Sequence, residues 1–143
     1  MKIGILCAIP KEIKYFDLLL NSARTLVGRT FFSKREENHE LILVECGLGK
    51  VNAALVSTLL IQEFDCELLI FSGVAGGIDP EMEIGEMVVG ESLIQYDYGS
   101  LNDGQLQVYR AGSIPMGPPN NSLEFALDVE LKKTIKAALP RVR

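Results

Sequence analysis

Apolar and polar positions along this chain follow two rhythms. Lys2-Ile3-Gly4-Ile5-Leu6-Cys7-Ala8 is a nearly unbroken apolar run, the pattern of a strand buried on both faces. It turns at Ile9-Pro10, and Pro10 suits the first turn of a helix, where its missing N–H has no partner to lose. Ile9, Ile13, Phe16 and Leu20 then recur at helical spacing, with Asn21-Ser22 closing that helix. Two strands are expected around Thr30-Phe31-Phe32 and over Leu41-Ile42-Leu43-Val44-Glu45-Cys46, forming a hairpin about the polar stretch 34–39. Gly47-Leu48-Gly49-Lys50 breaks the second strand and opens a helix. Its expected apolar face is Val51, Ala54, Leu55 and Leu59, with Thr58 on the same stripe.

After Asp65 comes Leu68-Leu69-Ile70-Phe71-Ser72-Gly73-Val74-Ala75-Gly76-Gly77, which reads as a fully buried strand running into a glycine turn. Glycines at a strand end imply a tight turn or a close approach to the backbone. In open α/β sheets that is where ligands bind. Ile84-Gly85-Glu86-Met87-Val88-Val89-Gly90 reads as a further strand, and Leu123 to Leu139 as a helix before Pro140-Arg141-Val142-Arg143. Between them, from Tyr96 to Asn121, the chain is rich in Gly, Pro, Asn and Tyr with little period. A long irregular stretch of that kind usually carries function. The order strand, helix, hairpin, helix, strand, strand, helix belongs to a single α/β domain over residues 1–143. With four or five strands, one or two of them are expected to have open edges.

Composition narrows the partners. Fourteen basic against nineteen acidic residues give a net charge of −5, and no basic run is present, which argues against a nucleic-acid surface. The mixed cluster Lys34-Arg35-Glu36-Glu37 is expected at a solvated hairpin tip. Cys7, Cys46 and Cys66 lie in apolar contexts at wide spacing and read as buried free thiols. With one histidine, His39, a zinc site has too few ligands. The chain opens directly on a strand pattern, with no signal peptide expected. No apolar segment approaches the ~20 residues needed to cross a bilayer. The expectation is a soluble, cytoplasmic protein.

Two glycine turns follow strands, Gly47-Leu48-Gly49 and Gly73-Val74-Ala75-Gly76-Gly77. Neither fits the dinucleotide fingerprint, because residues 47–52 lack the third glycine. Gly49-Lys50 is followed by Val51 rather than Ser or Thr, so no phosphate-cradling loop is present. Glu12 lies just past the carboxyl end of the first strand, at the start of the first helix. Two readings stand open there: a carboxylate favoured by the helix dipole, or a general acid or base at the ligand crevice.

The segment from Met1 to Ile13, including Ala8-Ile9-Pro10-Lys11-Glu12, resembles the opening of the 5′-methylthioadenosine/S-adenosylhomocysteine nucleosidases. Gly47-Leu48-Gly49-Lys50-Val51-Asn52-Ala53-Ala54 and Ser72-Gly73-Val74-Ala75-Gly76-Gly77 are similar to that family's next two motifs, in order and spacing. Gly85-Glu86-Met87-Val88-Val89 resembles the strand after them. The resemblance implies a three-layer α/β sandwich of the nucleoside phosphorylase type with a central mixed sheet, represented by its N-terminal part. It implies hydrolysis of an N-glycosidic bond, separating adenine from a 5′-thio-substituted ribose, with no cofactor. Glu12 matches the carboxylate that binds and activates the attacking water. Ala8, Ile9 and Leu48 match positions lining the sugar and its 5′-thio end. Val74, Ala75 and Gly76 match the turn on which base and ribose pack. A homodimer or higher homo-oligomer is also implied.

Related readings remain, among them a futalosine-type nucleosidase, a purine nucleoside phosphorylase and a nucleoside-binding half-domain without catalysis. For phosphorolysis the resemblance would call for arginines where Pro10-Lys11 and Phe71-Ser72 stand, so no guanidinium fork for phosphate is evident. The family also carries an acidic segment gripping the ribose hydroxyls and a Ser-Asp pair that protonates the leaving base. Neither is matched in these residues. Gln95-Tyr96-Asp97-Tyr98-Gly99 stands where the family usually has a histidine, and Tyr96, Tyr98 and Tyr109 are expected in a packed or dimer-facing loop.

Overall fold

The computed structural model describes residues 1–14, 16, 22–109 and 124–139, which divide into two compact units, Met1–Ile78 and Asp79–Arg143. Among the described residues no helix is long and apolar enough to cross a membrane.

The first unit is built on a five-stranded mixed sheet. Its strands are β1 (Lys2–Cys7), β2 (Ser22–Leu26), β3 (Arg29–Glu36), β4 (His39–Glu45) and β5 (Leu68–Phe71), in the spatial order β2-β3-β4-β1-β5. β1 lies at the parallel centre, with Ile3 opposite Leu41 on one side and Leu68 on the other. β2, β3 and β4 form an antiparallel meander. Because successive side chains alternate faces, β1 supplies both layers of the core. Leu6 joins Phe31, Ile42, Val44 and Cys46 under helix α2 (Lys50–Phe64), where Val56 and Leu60 close the cluster. Ile5, Cys7 and Leu43 form the second cluster, covered by Ile13 and Phe16 from the segment around helix α1 (Pro10–Ile13). The result is the three-layer α/β arrangement with a mixed sheet.

Several expectations change. α1 ends at Ile13, and although Ile13 and Phe16 pack inward as the spacing suggested, Leu20 and Asn21 lie outside the described residues. Ser22 opens β2 instead of closing a helix. Ser22 Oγ lies 2.6 Å from Ser33 Oγ across the β2–β3 pair, and Arg24 ties the strand to α2 through Glu63 and the Phe64 ring. Of 34–39 only Glu37 and Asn38 are left as the loop, since Glu36 pairs with His39.

The apolar face of α2 is corrected. Val56 and Leu60 are the buried positions, and of the expected face only Leu59 packs against the core. Val51 is 84% and Leu55 42% exposed, with Ala54 and Thr58 also outward. The sequence of this helix is apolar nearly all round, so its own period marks no single inner face. Tertiary packing decides. Gly4 has no side chain, and a Cβ there would stand 2.9 Å from Leu60 Cδ1 and 2.8 Å from Leu69 Cδ2. That clearance seats Leu60 against the sheet. β5 is likewise not a fully buried strand: it is an edge of this sheet, with Ile70 and Phe71 exposed. All three cysteines are free and buried, as expected.

The second unit holds three departures. Residues 84–90 form no strand; no described chain segment pairs with them, and a turn at Glu83–Glu86 with Gly85 at φ +99° occupies their start. The short strand lies later, β6 (Ser92–Leu93), paired with β9 (Phe125–Ala126). Part of the stretch expected to be irregular is a hairpin, β7 (Gly99–Asn102) with β8 (Gln105–Val108), turned by Asp103 and Gly104, both at positive φ. Tyr98 and Tyr109 meet edge-on at its base, 5.4 Å apart, while Tyr96 is exposed. Residues 110–123 and 140–143 lie outside the described residues. Helix α3 (Val129–Ala138) begins later than expected, because Asp128 caps it by accepting from the Glu130 and Leu131 N–H groups.

Gly4→Ala tests the packing. The new methyl must push Leu60 or Leu69 away, and we expect a loss of about 1–3 kcal/mol in urea unfolding. An unchanged midpoint and slope would show that the helix does not rest on this clearance.

Candidate active site

The carboxyl ends of β4, β1 and β5 lie side by side, held in step past the strands by Cys46 N–H to the Cys7 carbonyl at 2.8 Å and Ser72 N–H to the Leu6 carbonyl at 2.8 Å. Each continues into a loop rich in small residues: Gly47-Leu48-Gly49, Ala8-Ile9, and Gly73-Val74-Ala75-Gly76. Glu12 stands in the first turn of α1, so its side chain reaches back over the end of β1. Its Oε2 accepts from the N–H of Ala8 at 2.8 Å and of Ile9 at 3.2 Å. Its Oε1 accepts from the N–H of Val74 at 3.0 Å, across the gap to the β5 loop.

The two open readings of Glu12 turn out to be compatible. By reaching the Ile9 N–H the carboxylate satisfies an orphan donor at the helix start, and by reaching Val74 it spans the crevice. An ionised carboxylate has about four acceptor positions. Oε2 uses two and Oε1 one, so one lone-pair direction on Oε1 remains for a further donor. The Val74 N–H is the foremost cause holding the Glu12 carboxyl below its ordinary value, with Ala8 and Ile9 adding to it against a smaller pull from burial. Glu12 is therefore an anion at neutral pH.

The neighbouring thiols are the opposite case. Burial, then the Glu12 charge, then Cys46 push Cys7 up to about 11, and burial also raises Cys46. They are protonated at neutral pH and serve as packing.

Gly73 explains why the glycine turn is needed. A Cβ there would lie 2.7 Å from Glu12 Oε1 and 2.9 Å from its carboxyl carbon. Its backbone does not require positive φ, so what a side chain there would disturb is the Glu12 carboxylate, which would have to shift from its N–H partners. Gly76 differs, since nothing stands within 4 Å of a Cβ there. Of the residues singled out from sequence, Ala8, Ile9 and Val74 meet Glu12 through their backbone N–H groups. Ala75 and Gly76 continue the exposed loop beyond Val74. Leu48 is 72% exposed at the end of β4, on the other side of β1.

Two residues escaped the sequence reading. Arg29 Nη2 donates to Asn52 Oδ1 at 3.3 Å, and Asn52 Nδ2 donates to the Leu48 carbonyl at 2.7 Å. No local signal points to Arg29, which is eighteen positions from Gly47 and reaches that turn only through the β3–β4 pairing. Among the described residues no group of three His, Cys, Asp or Glu side chains could hold a metal.

The carboxylate's role is open to test by pH. A depressed pKa stabilises the fold above the ordinary carboxylate value of 4.5, and this contribution is lost as pH falls through the lower folded-state value. Glu12→Gln should remove that part of the acid dependence of unfolding, because an amide does not titrate. It should also lower stability at neutral pH, because either amide orientation points an N–H at a backbone donor. Gly73→Ala should raise the Glu12 pKa, read by carboxyl carbon NMR, and Gly76→Ala should leave it in place. Equal titration in both glycine variants would refute the steric account.

Sequence and structural comparisons agree on the family. Residues 2–142 match the phosphorylase superfamily. The chain is 37% identical over 139 residues to the 5′-methylthioadenosine/S-adenosylhomocysteine nucleosidase of Mycobacterium bovis, covering 96% of this chain and 54% of that protein. It is 37% identical over 99 residues to the aminodeoxyfutalosine nucleosidase of Campylobacter jejuni, covering 68% of this chain and 43% of that one. S-adenosylhomocysteine nucleosidase from Streptococcus pyogenes, solved with 5-methylthiotubericidin, superposes with a TM-score of 0.79 at 30% identity, over 98% of this chain and 57% of the other. The chain thus spans about half the length of the nucleosidases it matches, from 43% to 57% in these three. It belongs to the phosphorylase superfamily.

Proposed function

We propose that this chain carries the water-activating half of a purine nucleosidase that splits 5′-methylthioadenosine or S-adenosylhomocysteine into adenine and the 5′-thio-substituted ribose. The observation that carries the reading is the Glu12 carboxylate, ionised and held by three backbone N–H groups with one acceptor direction left over. A water held there would be oriented as a nucleophile, and the fixed negative charge would favour the oxocarbenium-like transition state of N-glycosidic cleavage. Ala8, Ile9 and Leu48 are assigned to the sugar and its 5′-substituent, and Val74, Ala75 and Gly76 to the face of base and ribose. Small residues there let the backbone lie flat against a nucleoside.

No residue of this chain matches the acid that protonates the leaving base. Loss of one such group typically costs ~10²–10⁴-fold in rate. The 143 residues alone are therefore assigned nucleoside binding with impaired turnover. The aminodeoxyfutalosine nucleosidase relative favours one second reading of the substrate, a futalosine-type nucleoside. The free thiols at Cys7, Cys46 and Cys66 suit a cytoplasmic setting. Open edges at β2 and β5 and the outward apolar residues of α2, Val51, Leu55 and Ile61, support self-association into a homodimer or higher oligomer.

Titration of 5′-methylthioadenosine into the chain, followed by assay for free adenine, tests the assignment. Saturable binding is expected, with turnover more than tenfold below a full-length family enzyme and abolished by Glu12→Gln. No binding at millimolar nucleoside would sink the nucleosidase reading, and turnover within tenfold of the full-length enzyme would sink the impairment. Preferential binding of a futalosine would transfer the assignment to that substrate. Sedimentation at micromolar concentration should give a species larger than a monomer; a well-behaved monomer counts against self-association.

A further inference from the structure

Arg29 opens β3, two residues before Phe31, and the two therefore share a face of the sheet. Phe31 belongs to the cluster under α2, so the Arg29 side chain lies on the α2 side, by the end of β4. Its guanidinium donates from Nη2 to Asn52 Oδ1 at 3.3 Å, and Asn52 Nδ2 donates onward to the Leu48 carbonyl at 2.7 Å. Only one amide orientation satisfies both ends. A guanidinium has donors alone and a carbonyl is an acceptor alone, so a flipped Asn52 would meet like with like on both sides. The relay lies against the turn it holds. A Cβ on Gly47, whose φ is +85°, would stand 3.0 Å from Arg29 Nη2 and 3.3 Å from Asn52 Nδ2. Leu48 itself is 72% exposed among the described residues, so packing around its side chain constrains it little, whereas its carbonyl is held by this relay.

We infer that Arg29 is a positioning residue that acts through Asn52 to set the place of Leu48 and thereby the discrimination between nucleosides with and without an apolar 5′-substituent. The inference rests on the nucleosidase reading for the ligand and on the hydrogen-bond relay for the mechanism. Arg29 touches no ligand in this account.

Two variants separate the links. Arg29→Met keeps a long apolar stem and removes the donors. Asn52→Asp still accepts from Arg29 but cannot donate to the Leu48 carbonyl. Each should move the Leu48 carbonyl resonance and speed amide exchange across residues 47–49. Each should also lower the affinity ratio of 5′-methylthioadenosine to adenosine by about three- to tenfold, the worth of roughly one hydrogen bond. Folded variants with an unchanged ratio overturn the inference, as does an equal loss for both nucleosides. If the unaltered chain binds neither nucleoside, the nucleosidase reading falls on its own account. The turn resonances then decide the relay, which stands if they move in both variants and fails if they do not.

Discussion

The geometry of the crevice depends on one carboxylate accepting three backbone N–H groups from two separate loops. Glu12 ties the turn after β1 to the turn after β5, sixty-two positions apart in the chain between Glu12 and Val74. Buried or half-buried N–H groups need partners, and here an anion supplies them to loops that have no ladder of their own. The same donors keep the carboxyl ionised at neutral pH. Structure and chemistry are thus served by one side chain, and the charge that holds the loops is the charge a nucleosidase would use.

The sheet beneath supplies rigidity from both faces. Alternation along β1 sends Leu6 to one cluster and Ile5 and Cys7 to the other, so the strand end that presents Ala8 and Ile9 is clamped between two layers. Glycine serves this arrangement through absence of bulk rather than freedom of φ at two key points. Gly4 lets Leu60 and Leu69 close on the sheet, and Gly73 lets the β5 turn close on Glu12. Gly47 is the contrasting case, where a positive φ and the nearby Arg29 guanidinium both exclude a side chain.

α2 shows the limits of periodicity. A helix apolar on most sides contains more than one plausible stripe, and the choice falls to what the sheet offers. Here the pocket left by Gly4 takes Leu60, and Val51 and Leu55 are turned outward as a consequence. An outward apolar stripe on a helix beside the crevice gives a physical motive for a second copy of the chain to cover it.

Much of the architecture was legible along the chain. β1, the β3–β4 hairpin, the extent of α2 and the glycine turn after β5 followed from local pattern. The family motifs marked Glu12, Leu48 and Val74 without any geometry. The Asp103-Gly104 turn carried a local hairpin signal as well, obscured by the irregular composition around it. The sequence by itself determined where β1, β3, β4, α2 and β5 lie and which acid stands at a strand end, because those features depend on neighbours a few residues apart. Local pattern missed β2, the β7–β8 hairpin and the absence of a strand at 84–90. Only the tertiary structure decided which face of α2 is inward, that β5 is an edge, why Gly73 bears no side chain, and that Arg29 reaches Leu48. Each of those rests on atoms brought together from distant positions, whose proximity is set by strand order and packing rather than by any local pattern.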